Sequence, residues 1–578
     1  MKHLFLYAEK YKAQVILGPL FKLLEASLEL CVPLIVKLII DVGIKNKDAR
    51  YIILMSILLI AFGLVGLVFT VIAQYFSAAA SVKSVAGLRR ALFKKIQNFS
   101  YADMDKAGAS TMITRLTDDC NQVQTGMNLT LRLLLRSPFV VFGAMIMAFS
   151  IDVKSALVFV VVIPLIAAVV FAIMIACIPL YGKVQKKLDK VLLTTRENLS
   201  GVRVIRAFGR EETEKQNYAK DCETLAKSQN KAGLIAALLN PLTYSLINFA
   251  VVALIYVGAI RVDGGAITQG AVIAIYNYMS QILVELIKLA NLIINVTKSV
   301  ACAKRIGSVL DAPTLQKNGS VLSGKEDMRG CVSFKNASLK YGESAGYAIE
   351  GLTLDVKSGE TIGIIGGTGS GKSSLAALIP RFYDASDGSV EVDGVNVLDY
   401  DVDALRKKIG FVPQKAVLFS GTVRENLLWG NENASEETIR QAVESSCSDF
   451  VYDKKGGLDC EVEQGGRNFS GGQKQRLTVA RALVRQPEIL VLDDSSSALD
   501  FATDAKMRKA ISSLSYKPTV FVVSQRTGSV CHADKIIVLD NGKVMGIGTH
   551  DELLNSCEVY KEIHLSQFKK ESAEGGAI

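Results

Sequence analysis

NFSGGQKQRLTVARALVRQPEILVLDDSSSALD, residues 468–500, decides the fold when it is read together with GGTGSGKS at residues 366–373. The octet fits G-x-x-x-x-G-K-[ST]. Apolar TIGII before it and SLAALI after it supply the strand and helix that flank a phosphate loop. ILVLDD, residues 489–494, reads as a buried parallel strand ending in carboxylates, the end at which such sheets place their ligands.

The residue types in the loop match the chemistry of a nucleotide triphosphate. Gly366, Gly367, Thr368, Gly369, Ser370 and Gly371 let backbone N–H groups converge on phosphate oxygens, and the helix that follows adds its positive end. Lys372 reaches the outer phosphates, the Ser373 hydroxyl holds Mg²⁺, and Ser374 joins them among the nucleotide-binding residues. Asp493 is the acid on the magnesium side. The expected ligands are therefore ATP and Mg²⁺.

FSGGQ, residues 469–473, resembles the signature of the ATP-binding cassette transporters, specifically the exporters that fuse a membrane domain to a nucleotide-binding domain. The resemblance covers residues 12–565. It implies that Ser470, Gly471, Gly472 and Gln473 cap the γ-phosphate of ATP held on a second cassette, so that one chain completes neither site alone. Residues 334–341 resemble the family's opening strand, which makes Tyr341 the aromatic that stacks on adenine. FVPQKAVLFSGTVRENLLWG, residues 411–430, resembles the segment joining cassette to membrane domain, with Gln414 sensing Mg²⁺ and the attacking water. Arg424, Glu425 and Asn426 would lie near the membrane domain's coupling helices, as would Trp429, while Asp500 would cross between the paired cassettes.

Composition agrees with a membrane protein. The chain has 578 residues, of which 50% are hydrophobic, and a mean hydropathy of +0.29, too apolar for an ordinary soluble enzyme. The net charge of +10 comes in the first half from two long basic links, the positive-inside pattern, and no nucleic-acid motif accompanies it. Ten cysteines without a C-x-x-C pair read as reduced and structural. The N-terminus reads as carrying no removable signal peptide, and residues 1–12 as a short amphipathic surface helix.

The expected fold is a six-helix α transmembrane domain fused to an α/β P-loop nucleotide-binding domain. Apolar stretches near 14–44, 52–80, 132–150, 153–180, 232–260 and 270–300 are each long enough to span a bilayer. The long links 81–131 and 181–231 continue the helical pattern, so these helices project into the cytoplasm. By resemblance they end in coupling helices around 101–105 and 202–208. The expected divisions are 1–300 transmembrane, 301–330 linker, 331–565 cassette and 566–578 disordered tail. Lys22, Glu25 and Glu29 share one face of the first span, and Glu285 and Lys288 one face of the last. Ionisable groups there line a pathway or pair between helices.

Two positions depart from the family pattern. Asp494 stands where the family has the glutamate that polarises the attacking water, and Gln525 where it has a histidine on the γ-phosphate. Aspartate is one methylene shorter, and a displacement of about 1 Å costs on the order of 10²-fold in rate. Glutamine still donates a hydrogen bond but carries neither histidine's proton nor its charge. This pair of substitutions is similar to one subunit of heterodimeric exporters. The implied partner is a second half-transporter with an intact glutamate and switch histidine, in the cell membrane, with the cassette in the cytoplasm and a small amphipathic molecule, lipid or peptide as substrate. An ATP-gated regulatory membrane protein and a homodimeric exporter are the alternatives.

Overall fold

The computed structural model describes residues 2–313, 316–342 and 345–574. The chain divides into two units: one of Met1–Gln97 with Ala109–Ala312, the other of Asn98–Gly108 with Pro313–Ile578.

Among its described residues the first unit consists of helices joined by short turns. A short helix Lys2–Glu9 precedes Lys12–Leu38, which a π-helical turn, Ile39–Ile44, extends. Ala49–Gln97 and Val153–Ser200 contain 49 and 48 residues. At 1.5 Å per residue each is over ~70 Å long, more than twice the ~30 Å of hydrocarbon. Each is therefore much longer than a bilayer's hydrocarbon is thick. Their outward apolar side chains, such as Ile53, Leu64, Val161 and Ile175, are exposed, as lipid contact requires.

Among the described residues five helices are long and apolar enough to cross a membrane: Ala49–Gln97, Ala109–Ile151, Val153–Ser200, Glu211–Asp263 and Gln269–Leu310. The sequence reading has six. The missing one is the first, 14–44, which does form a continuous helix but whose Lys22, Glu25, Glu29 and Lys37 remove it from the strongly apolar set.

The break between the third and fourth expected spans has a local cause. Asp152 leaves the helical region (φ −157°, ψ 116°) and accepts a hydrogen bond from the Ser155 backbone N–H at 2.9 Å, capping the next helix. Arg261 pairs with its other oxygen at 2.6 Å.

The last helix runs on to Leu310 rather than ending near 300, because no breaker intervenes before Asp311-Ala312-Pro313. Beyond it the expected linker is stitched to the second unit: the backbone N–H groups of Gly319 and Val321 donate to Tyr400 and Asp399 carbonyls at 3.0 Å. A Cβ on Gly319 would lie 2.1 Å from the Asp399 oxygen, so the close approach needs glycine.

The second unit is built on a ten-stranded sheet. Its strands are β1 Val332–Leu339, β2 Ile349–Val356, β3 Thr361–Gly366, β4 Asp387–Val392, β5 Val395–Asn396, β6 Ile409–Val412, β7 Gly421–Thr422, β8 Glu461–Val462, β9 Ile489–Asp493, β10 Thr519–Val523, β11 Lys535–Asp540 and β12 Lys543–Gly548. The order is β5-β4-β1-β2-β12-β11-β3-β10-β9-β6, and β7 pairs with β8 apart from it. β11, β3, β10, β9 and β6 are mutually parallel. Every residue of β9 and β10 is buried, which explains their unbroken apolar sequences.

The final helix, Glu558–Glu574, occupies most of the segment expected from 566 to be a disordered tail. Residues 575–578, the rest of that tail, lie outside the described residues.

Candidate functional site

Parallel pairing brings three loops to one edge of the sheet. Register aligns Ile364 of β3 with Val523 of β10, and Val523 with Asp493 of β9. The phosphate loop after β3, the acids at the end of β9 and Gln525 after β10 consequently open at the same carboxyl end, where doubly wound sheets bind ligands.

Two of the loop's glycines illustrate a geometric requirement. Gly369 and Gly371 have φ of 81° and 99°, and a Cβ on Gly371 would lie 2.1 Å from the Ala348 carbonyl oxygen. Lys372 folds across the loop and donates to the carbonyls of Gly366 at 2.9 Å and Gly367 at 2.6 Å. Burial pushes its ammonium below the ordinary lysine range, although Asp494 and Asp493 pull it upward. A buried cation held by the loop's carbonyls at the start of a helix is suited to meet phosphate. Thr368 and Gly367 are exposed at the mouth, whereas Ser370 and Ser374 are buried.

Ser373 donates its hydroxyl to Asp493 at 2.9 Å. Burial lifts the Asp493 carboxyl above its usual range, against the Ser373 hydrogen bond. A hydroxyl and a carboxylate in contact are hard oxygen donors of the kind Mg²⁺ takes, so the residues present fit that ion.

Asp494 leaves the strand with φ 46°, a left-handed conformation that aspartate tolerates. Its backbone N–H still donates to the Val523 carbonyl at 3.0 Å. Its carboxylate accepts a hydrogen bond from Gln414 at 3.2 Å. Gln414 and the acid at the general-base position thus meet directly.

Gln525 is exposed, and its backbone carbonyl accepts from Gln567 at 2.8 Å. Gln567 also accepts from the Thr527 N–H at 2.9 Å and hydroxyl at 3.0 Å. The residue that braces the switch segment therefore belongs to the final helix, in the stretch assigned by sequence to a tail. No sequence pattern marks it.

The signature is built differently. Ser470 caps the helix Gly471–Val484: its hydroxyl accepts from the Gln473 N–H at 3.3 Å, and Gln473 accepts from the Ser470 N–H at 3.0 Å. Gly471 and Gly472 pack beside Ala498, and no hydrogen bond between described residues joins this helix end to the phosphate loop. Ser470 and Gly471 are exposed. Asp500 caps the helix Phe501–Ser512 through Thr503, at 2.6 and 3.1 Å; the Thr503 hydrogen bonds hold its carboxyl below the usual range.

Tyr341 is 51% exposed, leaving a ring face open, while its hydroxyl shares a 2.8 Å hydrogen bond with Ser374. Of the 411–430 segment, Asn426 is buried and bound to Phe419 and Thr422, Arg424 pairs with Asp459 and Glu436, and Glu425 closes a capping box with Thr422. The contact with the first coupling segment comes from elsewhere. Helix Tyr101–Ala107 stacks Tyr101 on Phe382 at 4.3 Å, and Asp105 accepts a hydrogen bond from Tyr383 at 2.6 Å. The helix at the second candidate, Val202–Ala207, lies in the helical unit with Val204 and Phe208 exposed.

Trp429 is 60% exposed and stacks on Phe419 at 4.1 Å. With Phe382, Arg406 and Arg481 it rims a cleft of about 280 Å³. As the chain's one tryptophan, it is expected to change its emission when ATP closes the cassettes, once partner tryptophans are removed. Unchanged emission despite closure verified by cross-linking would exclude that placement.

In the helical unit the charged faces pair. Arg136, a residue missed by sequence reasoning, donates to Glu285 and, at 2.6 Å, to Glu29. Glu25 lies 3.7 Å from Arg136 and 2.5 Å from Lys22, while Lys288 and Ser137 donate to Glu285 at 2.8 and 2.9 Å. Three cations and three carboxylates on three helices form one network, with Arg136 and Glu285 buried and the side chains of Glu29 and Lys288 partly open, at 39% and 43%. All ten cysteines are free.

Apolar helices too long to end within a bilayer, joined in one chain to a phosphate-loop domain with a capped signature helix, define a membrane-bound nucleotide-dependent machine. Residues 15–286 match the ABC transporter transmembrane region and residues 349–497 the ABC transporter domain. The chain is 35% identical over 553 residues to an uncharacterized ABC transporter ATP-binding protein of Bacillus subtilis, YfiB, covering 96% of each. It is 30% identical over 590 residues to a putative multidrug export ATP-binding/permease protein of the same organism, YgaD, covering 98% of this chain and 99% of that one. A bacterial Atm1-family ABC exporter solved with ATP bound shares the fold at a TM-score of 0.81 and 22% identity, over 98% of this chain and 99% of the other. The chain belongs to the ABC transporter family: it is a multi-pass membrane half-transporter with its ATPase domain fused to its membrane region.

Proposed function

We propose that this chain is the degenerate-site subunit of a heterodimeric exporter, moving a small amphipathic molecule, lipid or peptide out of the cell across six helices per chain. The observation that carries the reading is the pair Asp494 and Gln525 beside an otherwise complete phosphate site. Lys372 and the loop N–H groups hold the ATP phosphates, Tyr341 stacks on the base, and Ser373 and Asp493 take Mg²⁺, with Gln414 reaching it. Bound Mg²⁺ would neutralise charge on the phosphates. Asp494 orients water from too far back, and Gln525 offers the γ-phosphate a hydrogen bond without charge. The site binds ATP and turns it over slowly.

The second composite site joins the partner's phosphate loop and glutamate to Ser470, Gly471, Gly472 and Gln473 of this chain, with Asp500 beside the interface. Closure of the cassettes then turns the membrane domain outward through the coupling segments. The exposed Val204 and Phe208 are apolar side chains that a second cassette would cover. A homodimer is the second reading, favoured by the presence of both phosphate loop and signature in one chain.

The test is ATP-dependent uptake of labelled amphiphiles, lipids and peptides into inside-out vesicles carrying this chain with and without the product of a neighbouring half-transporter gene. Uptake with both chains and not with one supports the proposal. Full uptake with this chain alone makes the homodimer correct, and ATP turnover without movement of any class favours the regulatory alternative.

A further inference from the structure

The aromatic residues around Tyr341 continue past the nucleotide site. The ring of Tyr341 meets that of Tyr383 edge-on, with centroids 5.0 Å apart and planes at 87°. Tyr383 donates its hydroxyl to Asp105 at 2.6 Å and approaches the Tyr101 ring at 6.1 Å. Tyr101 in turn stacks on Phe382, which packs edge-on against Phe411 at 4.9 Å and under the Arg406 guanidinium at 5.3 Å.

The backbone carrying Phe382 and Tyr383 is pinned. Arg381, 2% exposed with φ 52°, pairs with Asp384 at 2.8 Å and donates to the Lys317 carbonyl at 2.9 Å. These contacts anchor the backbone on the N-terminal side of the bend that carries Phe382 and Tyr383. A phenol donating to a carboxylate is also a firm contact: partial burial, then Asp105, pushes the half-buried Tyr383 hydroxyl well above the ordinary tyrosine range.

We propose that Tyr383 is a positioning residue that ties the base platform to the coupling helix. A purine stacked on Tyr341 steadies the Tyr383 ring, and Tyr383 holds Asp105 and with it the helix Tyr101–Ala107. Occupancy by the base, rather than by the phosphates alone, is then registered at this helix. The inference rests on the reading of Tyr341 as the adenine platform.

Amide hydrogen exchange of residues 98–108 tests it in the full-length chain, assembled with its partner in lipid nanodiscs. Three states are compared: no nucleotide, a non-hydrolysable ATP analogue with Mg²⁺, and tripolyphosphate with Mg²⁺, which offers phosphates without a base. The analogue is expected to slow exchange of the segment by about tenfold, the scale of one hydrogen bond to a charged group, and tripolyphosphate to leave it unchanged. Tyr383→Phe keeps the ring and removes the donor; it is expected to abolish the analogue's protection while the analogue binds as in wild type. Asp105→Asn, a second variant acting from the other side, is expected to weaken the protection in the same way. Wild-type protection retained in Tyr383→Phe, or equal protection by tripolyphosphate, overturns the proposal. Binding of the analogue without any change at residues 98–108 overturns the relay alone, whereas failure of the analogue to bind the wild-type complex overturns the ATP reading as well.

Discussion

Gly471→Asp in this chain is expected to remove at least about 10²-fold of the ATPase of the proposed heterodimer, a loss on the scale of removing preorganised stabilisation of transition-state charge. The structure makes this a clean test. A Cβ at position 471 would find only the Ala498 Cβ, at 4.0 Å, and the φ of Gly471 is not in the left-handed region. The aspartate therefore fits, and the helix stays capped by Ser470. What changes is charge: a carboxylate stands at the positive end of a 14-residue helix, where the partner's γ-phosphate would arrive. Asp494→Asn is expected to reduce steady-state ATPase only modestly, because the carboxylate it removes is short, leaves the strand at φ 46° and already accepts from Gln414. A hundredfold loss corresponds to about 2.7 kcal/mol of transition-state stabilisation, enough to leave this chain's own site nearly silent beside a complete one. Steady-state ATPase of the two variants side by side decides the matter. Equal damage from both means that Asp494 is a working base and the sites are symmetric.

Arg136→Leu is expected to cost about 3–5 kcal/mol of stability, the scale of removing one partner from a buried ion pair. Arg136 is 6% exposed, and both Glu285 and Glu29 take hydrogen bonds from its guanidinium. Leucine leaves those carboxylates against apolar helices, with Glu285 reliant on Lys288 and Ser137. Arg136→Lys is expected to fall between, since one ammonium lacks the planar fork that serves two carboxylates at once. Glu285→Gln should be milder than Arg136→Leu, because Glu25 and Glu29 continue to balance Arg136. Thermal unfolding in nanodiscs, followed by tryptophan-independent light scattering and solubility, measures the order. A leucine variant that unfolds at the wild-type temperature would mean that the network carries no stability.

The same network shows where sequence reading stops. Lys22, Glu25 and Glu29 are visible as one face of a helix, and Glu285 with Lys288 as another, because helical spacing fixes neighbours three and four residues apart. Nothing in that spacing says that the two faces meet at Arg136, whose partners lie 107 and 149 residues away in sequence. The charges on that face also removed the first helix, read from its apolar stretch, from the set of strongly apolar spans. Gln567 illustrates the same limit, since a polar C-terminal segment has the composition of a tail until a helix brings it against Thr527 and Gln525.

The sequence by itself determined the phosphate loop, the acids that end an apolar strand, the signature and the division into apolar and α/β portions, because each depends on residue types at short, fixed spacing. Glycines that must turn, a lysine at the loop's end and an unbroken apolar strand are local requirements of backbone geometry and burial. Tertiary structure alone decided which of those parts face one another. Parallel register set Asp493 beside Ser373 and brought Asp494 to Gln414. Packing carried Tyr101 and Asp105 onto Phe382 and Tyr383, and folding joined five other charges to a single arginine. Such contacts join residues far apart along the chain, where the cost of bringing groups together is met by burial and pairing that no local pattern encodes.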